Sequence, residues 1–337
     1  MVTVHLNRSM SLIASVVICT HKPRKQYLDR VMEALRRQTV KPEFWELILV
    51  DNASEEPLQL ERDLAWHPNG RIVREKELGV TPARLRGIEE SRADLLIFVD
   101  DDNVVAEDYI AVAGEIAAGR SYIGAFSGSM VAEFEIPPAP SVFPYTSVLA
   151  INETDRDYWS NLIGWNKAMP FGAGLCVRRS VATYYSARVN ADPRRKALGR
   201  SGSGLAACED IDLAWCSMDL GMGTGRFCRL KLTHLITKSR LSPEYLIKLH
   251  AGIAGSQVIL ASFWGCSILG QDPQSPTEPA WLEFGRFLLR LARLSGIEKD
   301  IFLAERKARR EAALLVKRLI HESKSLVENS VDDRILP

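Results

Sequence analysis

The run Leu95-Leu96-Ile97-Phe98-Val99 passes without a break into Asp100-Asp101-Asp102. Five apolar residues bounded by polar ones read as a strand buried on both faces, the pattern of a parallel sheet covered by helices. The three carboxylates then fall at its C-terminal lip, the edge at which open α/β sheets hold ligands. Two acids one residue apart suit a hard divalent cation, which in turn can hold a diphosphate. A plainer role is open to the same residues: a turn in which Asp102 or Asn103 caps a helix starting near Val104. Taken alone, the triplet supports the two readings equally.

Working outward, strands and helices alternate. Ser15 to Cys19 is an apolar, β-branched run, and Tyr27, Leu28, Val31, Met32 and Leu35 form a helical stripe behind Pro23. Glu46 to Val50 reads as a second strand ending at Asp51, and Arg71 to Arg74 as a weaker third. Thr81-Pro82 opens a helix through about Arg92. Such alternation predicts a mainly parallel sheet with helices on both faces and right-handed crossovers. Pro137-Pro138-Ala139-Pro140 begins an irregular stretch to about Met169, and Phe171 to Val177 returns to strand. Gly172 and Gly174 there admit a close approach of backbone or ligand. Arg194 to Gly204, basic and glycine-rich, reads as a mobile loop. Glu209 to Leu220 reads as a helix and Arg226 to Ile236 as one or two strands.

Composition sets limits. The chain has 337 residues, 46% hydrophobic and 25% charged, which is ordinary for a folded protein with a sizeable core. A net charge of +1 gives no overall pull towards nucleic acid. Six cysteines show no CxxC spacing and sit largely in apolar runs, as small buried residues of a reducing compartment do. Arg8 followed by Met10 to Thr20 has the outline of a signal peptide, but it lacks a small-residue cleavage site and leads into a turn, so it reads as the first strand.

Beyond Ser242-Pro243-Glu244, another cap followed by a first-turn proline, the chain reads as wholly helical. Ala251 to Gly270 carries no charge over a bilayer-spanning length, yet glycines, serines and Gln257 dilute it, so it reads as a buried helical hairpin. Trp281, Phe284, Leu288 and Leu291 line one helical face, and Ala308, Ala312, Leu315 and Leu319 continue a stripe. Residues 281–320 hold ten Lys/Arg against five Asp/Glu. Basic amphipathic helices of this kind fit peripheral attachment to an anionic membrane, and equally a solvated cap or a homodimer surface. The expected division is 1–240 as the catalytic domain and 241–337 as a helical extension.

Each polar group at a predicted strand end has a structural explanation of its own. Asp51 can cap its turn, Glu209-Asp210 can face a helix dipole, and His234 can be a bonded core histidine. The ordered set is more specific. Ser15-Val-Val-Ile-Cys-Thr-His-Lys-Pro23, Leu47-Ile-Leu-Val-Asp-Asn-Ala-Ser54, Gly79 to Gly87 with Ala83-Arg84, Leu96-Ile-Phe-Val-Asp-Asp-Asp102, Glu209-Asp-Ile-Asp-Leu213 and Lys231-Leu-Thr-His234 occur in that sequence. Together they resemble the GT-A-fold inverting glycosyltransferases of the family 2 type over roughly residues 14–240. The resemblance implies a GT-A-like, Rossmann-like α/β fold in which Asp51 binds the nucleotide base with Thr20 and His21 beside it. It further implies Arg84 near the diphosphate, Asp100 and Asp101 on the nucleotide sugar, and Asp102 with His234 holding Mn²⁺ or Mg²⁺. Asp210 would be the general base, with Glu209 the second candidate. Leu85, where an asparagine often follows the arginine, and Asn103, in place of a further acid, depart from the pattern.

The expected activity is transfer of one sugar from a nucleoside-diphosphate sugar, UDP by default, to a glycan or lipid-linked saccharide. No Q-x-x-R-W motif accompanies the set, so polymerisation is not expected. The expected location is the cytoplasm, including the inner face of the cell membrane, with no nucleic-acid partner. The competing reading is a non-catalytic nucleotide-sugar or glycan-binding module with a docking tail, which has no use for Glu209-Asp210. A nucleotidyltransferase would open on a glycine-rich phosphate loop, which Thr20-His21-Lys22-Pro23 is not.

Overall fold

The computed structural model describes residues 12–58, 64–202, 204–266 and 280–332. Four strands build the first half of one sheet: β1 (Ala14–Thr20), β2 (Trp45–Asn52), β3 (Gly70–Glu75) and β4 (Leu95–Asp100). They lie parallel in the order β3-β2-β1-β4. Because β1 sits between β2 and β4, the sheet reverses its winding there, and a crevice opens at the C-terminal ends of those strands. Thr20, Asp51 and Asp100 are all at or beside that edge.

Alternation along β1 sets the two layers. Val16 and Ile18 pack with α1 (Lys25–Arg36) and α3 (Tyr109–Gly119), whereas Val17 packs on the other face with Ala83 and Ile88 of α2 (Val80–Glu90). α4 (Arg179–Ala191) and α5 (Glu209–Asp219) share that second face through Val181, Tyr185 and Leu213. Each such buried side chain contributes about 1.5–3 kcal/mol relative to exposure. Gly87 lets α2 close onto the sheet, since a Cβ there would stand 2.4 Å from Val17 Cγ1.

Beyond β4 the sheet is no longer wholly parallel. Past β4 it continues through β8 (Leu175–Arg178), β6 (Ile123–Phe134), β9 (Gly223–Ile236) and β5 (Asn103–Val105), with β7 (Tyr158–Ser160) also on β9. β6 and β9 are parallel, but the β4–β8, β8–β6, β9–β5 and β9–β7 pairs are antiparallel. The sheet is therefore mainly parallel, as expected, with antiparallel pairing where the short strands β5, β7 and β8 join it. The strand β6 and the helix α4 lie where the sequence reading assigned no element.

Two local expectations are corrected. Helix formation does not start near Val104, because Asn103-Val104-Val105 pairs with β9 and the helix waits until Tyr109. Nor is Arg194 to Gly204 simply an open loop: Pro193–Leu198 forms a 3₁₀ turn, and Arg195 is buried against Asp212.

C-terminal to the sheet, Ser242 Oγ accepts the Tyr245 amide at 3.2 Å and starts α6 (Pro243–Trp264). By length and composition α6 is able to cross a membrane. Here it packs on the molecule: a Cβ on Gly252 would lie 2.2 Å from Leu205 O, and Gly255 faces Ala308. Of the expected hairpin within 251–270, residues 251–264 lie in one continuous helix closed by Gly265 at a φ of 59°, and residues 267–270 lie outside the described residues. Its partner is α8 (Gly296–Asp332), reached through α7 (Ala280–Arg293). In the expected stripes Leu288 and Leu315 are exposed and Ala312 is buried; the side chains of Trp281, Phe284 and Leu319 lie outside the described residues, as do Arg8 and Met10.

Candidate active site

A cavity of about 550 Å³ opens at the reversal point of the sheet, lined by Asp100, Asp101, Asp102, Glu209, Asp210 and His234 together with Arg84, Arg200 and Arg240. A smaller one of about 250 Å³ adjoins it through Cys19, Val80, Asp101 and Arg200 and is lined further by Thr20, His21 and Asn52. A third, of about 490 Å³, adjoins it through Asn152, Trp165 and Phe171. The sequence motifs thus meet at one continuous cleft, with one exception.

Asp51 is that exception. It is buried, and its carboxylate accepts the amides of Ser54 and Leu58 at 3.3 Å each. It caps the turn after β2, while the next residue, Asn52, borders the smaller cavity. Asn52 accepts the Gly79 amide at 2.8 Å and donates to Glu77 O at 2.7 Å, tying the β2 turn to the start of α2. His21 Nδ1 stands 2.7 Å from Asn52 O, and Thr20 Oγ1 donates to Asp101.

The aspartate triplet turns the chain from β4 into β5. Asp100 N donates to Asn103 Oδ1 at 3.3 Å, and Asn103 lies opposite His234 in the β5–β9 pair. That register carries Asp102 to His234, with Oδ2 3.3 Å from Nε2. Burial and the neighbouring Asp102 charge push the Asp101 carboxyl up to about 7. Burial works in the same direction on Asp102, but His234 and Arg240 outweigh it and hold that carboxyl below its usual range.

Arg240 has no counterpart among the sequence expectations. Its Nη1 lies 2.9 Å from Asp102 Oδ2 and 3.1 Å from His234 Nε2. Asp102 and His234 therefore aim one oxygen and one nitrogen at a common point. That donor pair suits Mn²⁺ or Mg²⁺ with diphosphate oxygens and water completing the shell. No cluster of three or more His, Cys, Asp or Glu suited to a metal occurs among the described residues. The only sequence signal for Arg240 was its distance of six residues from His234.

Across the cleft, α5 starts under backbone constraint. Cys208 holds a φ of 131°, a conformation that side chains disfavour, and directs Glu209 and Asp210 into the cavity. Asp210 Oδ2 accepts the Gly172 amide at 2.7 Å, and Oδ1 accepts its neighbour Ile211 N at 2.9 Å. A Cβ on Gly172 would stand 3.0 Å from that Oδ2 and 2.9 Å from Arg84 Nη2, so the close approach read from the sequence is made here. Arg84 is buried with Nη1 3.1 Å from Glu209 Oε1 and Nη2 3.9 Å from Asp100 Oδ1. Nη1 has no well-aligned hydrogen bond, which leaves a donor for an anion. Burial and the adjacent Asp210 push the Glu209 carboxyl up to about 7. Burial opposes the Arg84 charge, but Glu209 and Asp100 outweigh it and raise its pKa. Cys19, also on the cleft, is no nucleophile at neutral pH, since burial pushes its thiol up to about 12.

Residues 15–171 match the model of glycosyl transferase family 2. Comparison with curated proteins gives no match. Among solved structures, S. aureus TarS is similar at 15% identity and a TM-score of 0.46, covering 74% of this chain and 42% of that one. GalNAc-T7 with UDP, GalNAc and Mn²⁺ is similar at 15% identity and a TM-score of 0.48, covering 84% and 55%. The chain spans about half the length of these proteins. A sheet covered by helices on both faces, followed by a helical region, is the α/β arrangement expected. The part of the chain similar to glycosyl transferase family 2 thus runs from β1 to the segment ahead of β8.

Proposed function

We propose that the chain moves one sugar, with inversion, from a nucleoside-diphosphate sugar to a hydroxyl of a glycan or lipid-linked acceptor. The observation that carries this reading is the convergence of Arg84, Asp100–Asp102, Glu209–Asp210 and His234, from distant stretches of sequence, on one cavity. UDP is the default nucleotide. Thr20, His21 and Asn52 would border its base, with Asp51 acting through the turn it caps. Arg84 would neutralise diphosphate oxygens, and Asp100 and Asp101 would contact the ribose and sugar. Asp102 and His234 would hold Mn²⁺ or Mg²⁺, which supplies Lewis-acid stabilisation of charge developing on the departing diphosphate.

Asp210 would take the acceptor proton. As the acceptor oxygen bonds to the anomeric carbon, the carbon–phosphate oxygen bond breaks on the opposite face and the nucleoside diphosphate leaves with the electron pair. One displacement needs one base and no enzyme nucleophile. The amides of Gly172 and Ile211 fix the carboxylate's direction, and Glu209, turned to Arg84, is the second candidate. The acceptor would enter beside Trp165 and Phe171, where the third cavity joins. Residues 1–240 would form the catalytic unit and 241–337 a helical extension for membrane, partner or self-association, in the cytoplasm.

The test is a thermal-shift screen of nucleotide sugars with and without Mn²⁺. A ligand that binds only the folded state at 100 times its Kd stabilises by about 2.7 kcal/mol. One donor should stand out and should release its nucleoside diphosphate when an acceptor panel is added. Tight donor binding with no release across a broad panel would favour a non-catalytic binding module, and no stabilisation by any nucleotide sugar would overturn both.

A further inference from the structure

The point at which Asp102 Oδ2 and His234 Nε2 converge is held by a cation of the protein's own, Arg240 Nη1, at 2.9 and 3.1 Å. Arg240 is seated without being fully bonded. Its Nε and His234 Nδ1 are both buried with no hydrogen-bond partner in the protein, unlike an arginine and histidine locked into a structural network. Five carboxyl groups share the cavity with Arg84, Arg200 and Arg240, so a cation that enters with a diphosphate finds acids to pair with. A guanidinium and a divalent ion cannot share one contact point, and an uncoupled guanidinium finds strong acceptors in diphosphate oxygens.

We infer that Arg240 is a placeholder for the metal. In the donor-free protein it occupies the point between Asp102 and His234. When a cation arrives with the nucleotide, Arg240 yields that point and transfers its hydrogen bonds to the diphosphate. Metal alone then binds weakly, because it must strand a largely enclosed guanidinium. Metal with diphosphate binds well, because the guanidinium gains a new partner. By linkage the nucleotide and the metal strengthen each other by the same factor. This inference rests on the glycosyl-transfer reading for the identity of the anion, whereas the metal-alone comparison does not need it.

The experiment is a Mn²⁺ titration of the full chain, followed by the electron paramagnetic resonance signal of free Mn²⁺, with and without saturating UDP. Wild type is compared with Arg240→Gln and Arg240→Lys. Arg240→Gln should bind Mn²⁺ alone about tenfold or more tightly than wild type, the scale of removing one competing charge at contact distance from a partly screened site. It should also lose most of the strengthening by UDP, while Arg240→Lys stays within about threefold of wild type, since the cation remains. A merely structural role cannot produce this result, because a loosened site does not gain metal affinity. Arg240→Met, which keeps the stem, serves if the glutamine variant does not fold. Equal Mn²⁺ affinity of wild type and the neutral variant would overturn the inference. Failure of UDP and of other nucleoside diphosphates to bind under any condition would count against glycosyl transfer, and the metal-alone comparison would still decide the role of Arg240.

Discussion

The Gly172 amide donates to Asp210 Oδ2 at 2.7 Å, so the segment ahead of β8 aims the carboxylate at the N-terminus of α5. These two residues are far apart in sequence, and the direction of Asp210 is a property of the fold and not of its own helix. Removing the carboxylate while keeping its shape should therefore separate chemistry from binding. Asp210→Asn should lower kcat by about 10³-fold, within the range for loss of a positioned base, and leave the Kd for UDP within about twofold. Steady-state kinetics beside calorimetry checks this, and unchanged turnover would remove Asp210 as base.

Gly172→Ala tests the same relationship from the other side. The new methyl would meet Arg84 Nη2 at 2.9 Å and Asp210 Oδ2 at 3.0 Å, both ends of side chains that can move. The protein should fold with little change in Tm but lose about 10²-fold in kcat, the cost of misplacing a reacting group by about an ångström. A full-activity alanine variant would mean that the contact does not direct the base.

Donor affinity should depend on pH through Glu209. Its carboxyl is raised to about 7, so it is mostly neutral at pH 6 and mostly ionised at pH 8. Ionised, it competes with a diphosphate for Arg84 and repels it. UDP binding measured in EDTA should weaken by about 3–10-fold from pH 6 to pH 8, as one added charge in a partly screened site implies. Glu209→Gln should reduce the dependence to the part that Asp101, raised to about 7 in the same cavity, contributes. Affinity that rises with pH in wild type would contradict the pairing.

Acid stability should report on Glu46, buried in β2. Burial would raise its pKa, but hydrogen bonds from Ser15, Arg71 and Arg92 overcome it and lower the value to about 2 from 4.5. A depressed carboxylate contributes stability fully above its unfolded pKa and loses it as pH falls through the folded one. The loss therefore runs from about pH 4.5 down to about 2 and amounts to about 3 kcal/mol. Glu46→Gln should cost about 2–3 kcal/mol at pH 7 and make the remaining stability flatter over that window, as urea melts at each pH would reveal.

The parallel half of the molecule was readable because its signals are local. Unbroken apolar runs in β1, β2 and β4 and the Thr81-Pro82 start of α2 each specify an element within a few residues. The same is true of Glu209-Asp210, whose position at a helix start follows from the apolar stripe behind it. What was not legible depends on pairing between distant strands. Asn103-Val104-Val105 is too short to declare itself a strand, and only its partner β9 makes it one. Asp51 looked like a ligand-binding residue, yet the amides of Ser54 and Leu58 claim its carboxylate and leave Asn52 on the cleft. Arg240 and Arg195 were invisible as functional or core residues because a cation becomes either one only when the fold brings an acid to it.

Arg195 belongs to a small assembly with wider reach. Asp212, two residues after Asp210, is buried between Arg195 and Trp264, whose Nε1 donates to it at 2.7 Å. Trp264 is the last residue of α6, so the far end of that helix reaches back to the helix that bears Asp210. A chain cut near residue 240 would leave the Asp212 carboxylate without one of its two anchors and open an apolar wound beside Trp215. The α/β half and α6 are thus joined at this seam through one buried carboxylate.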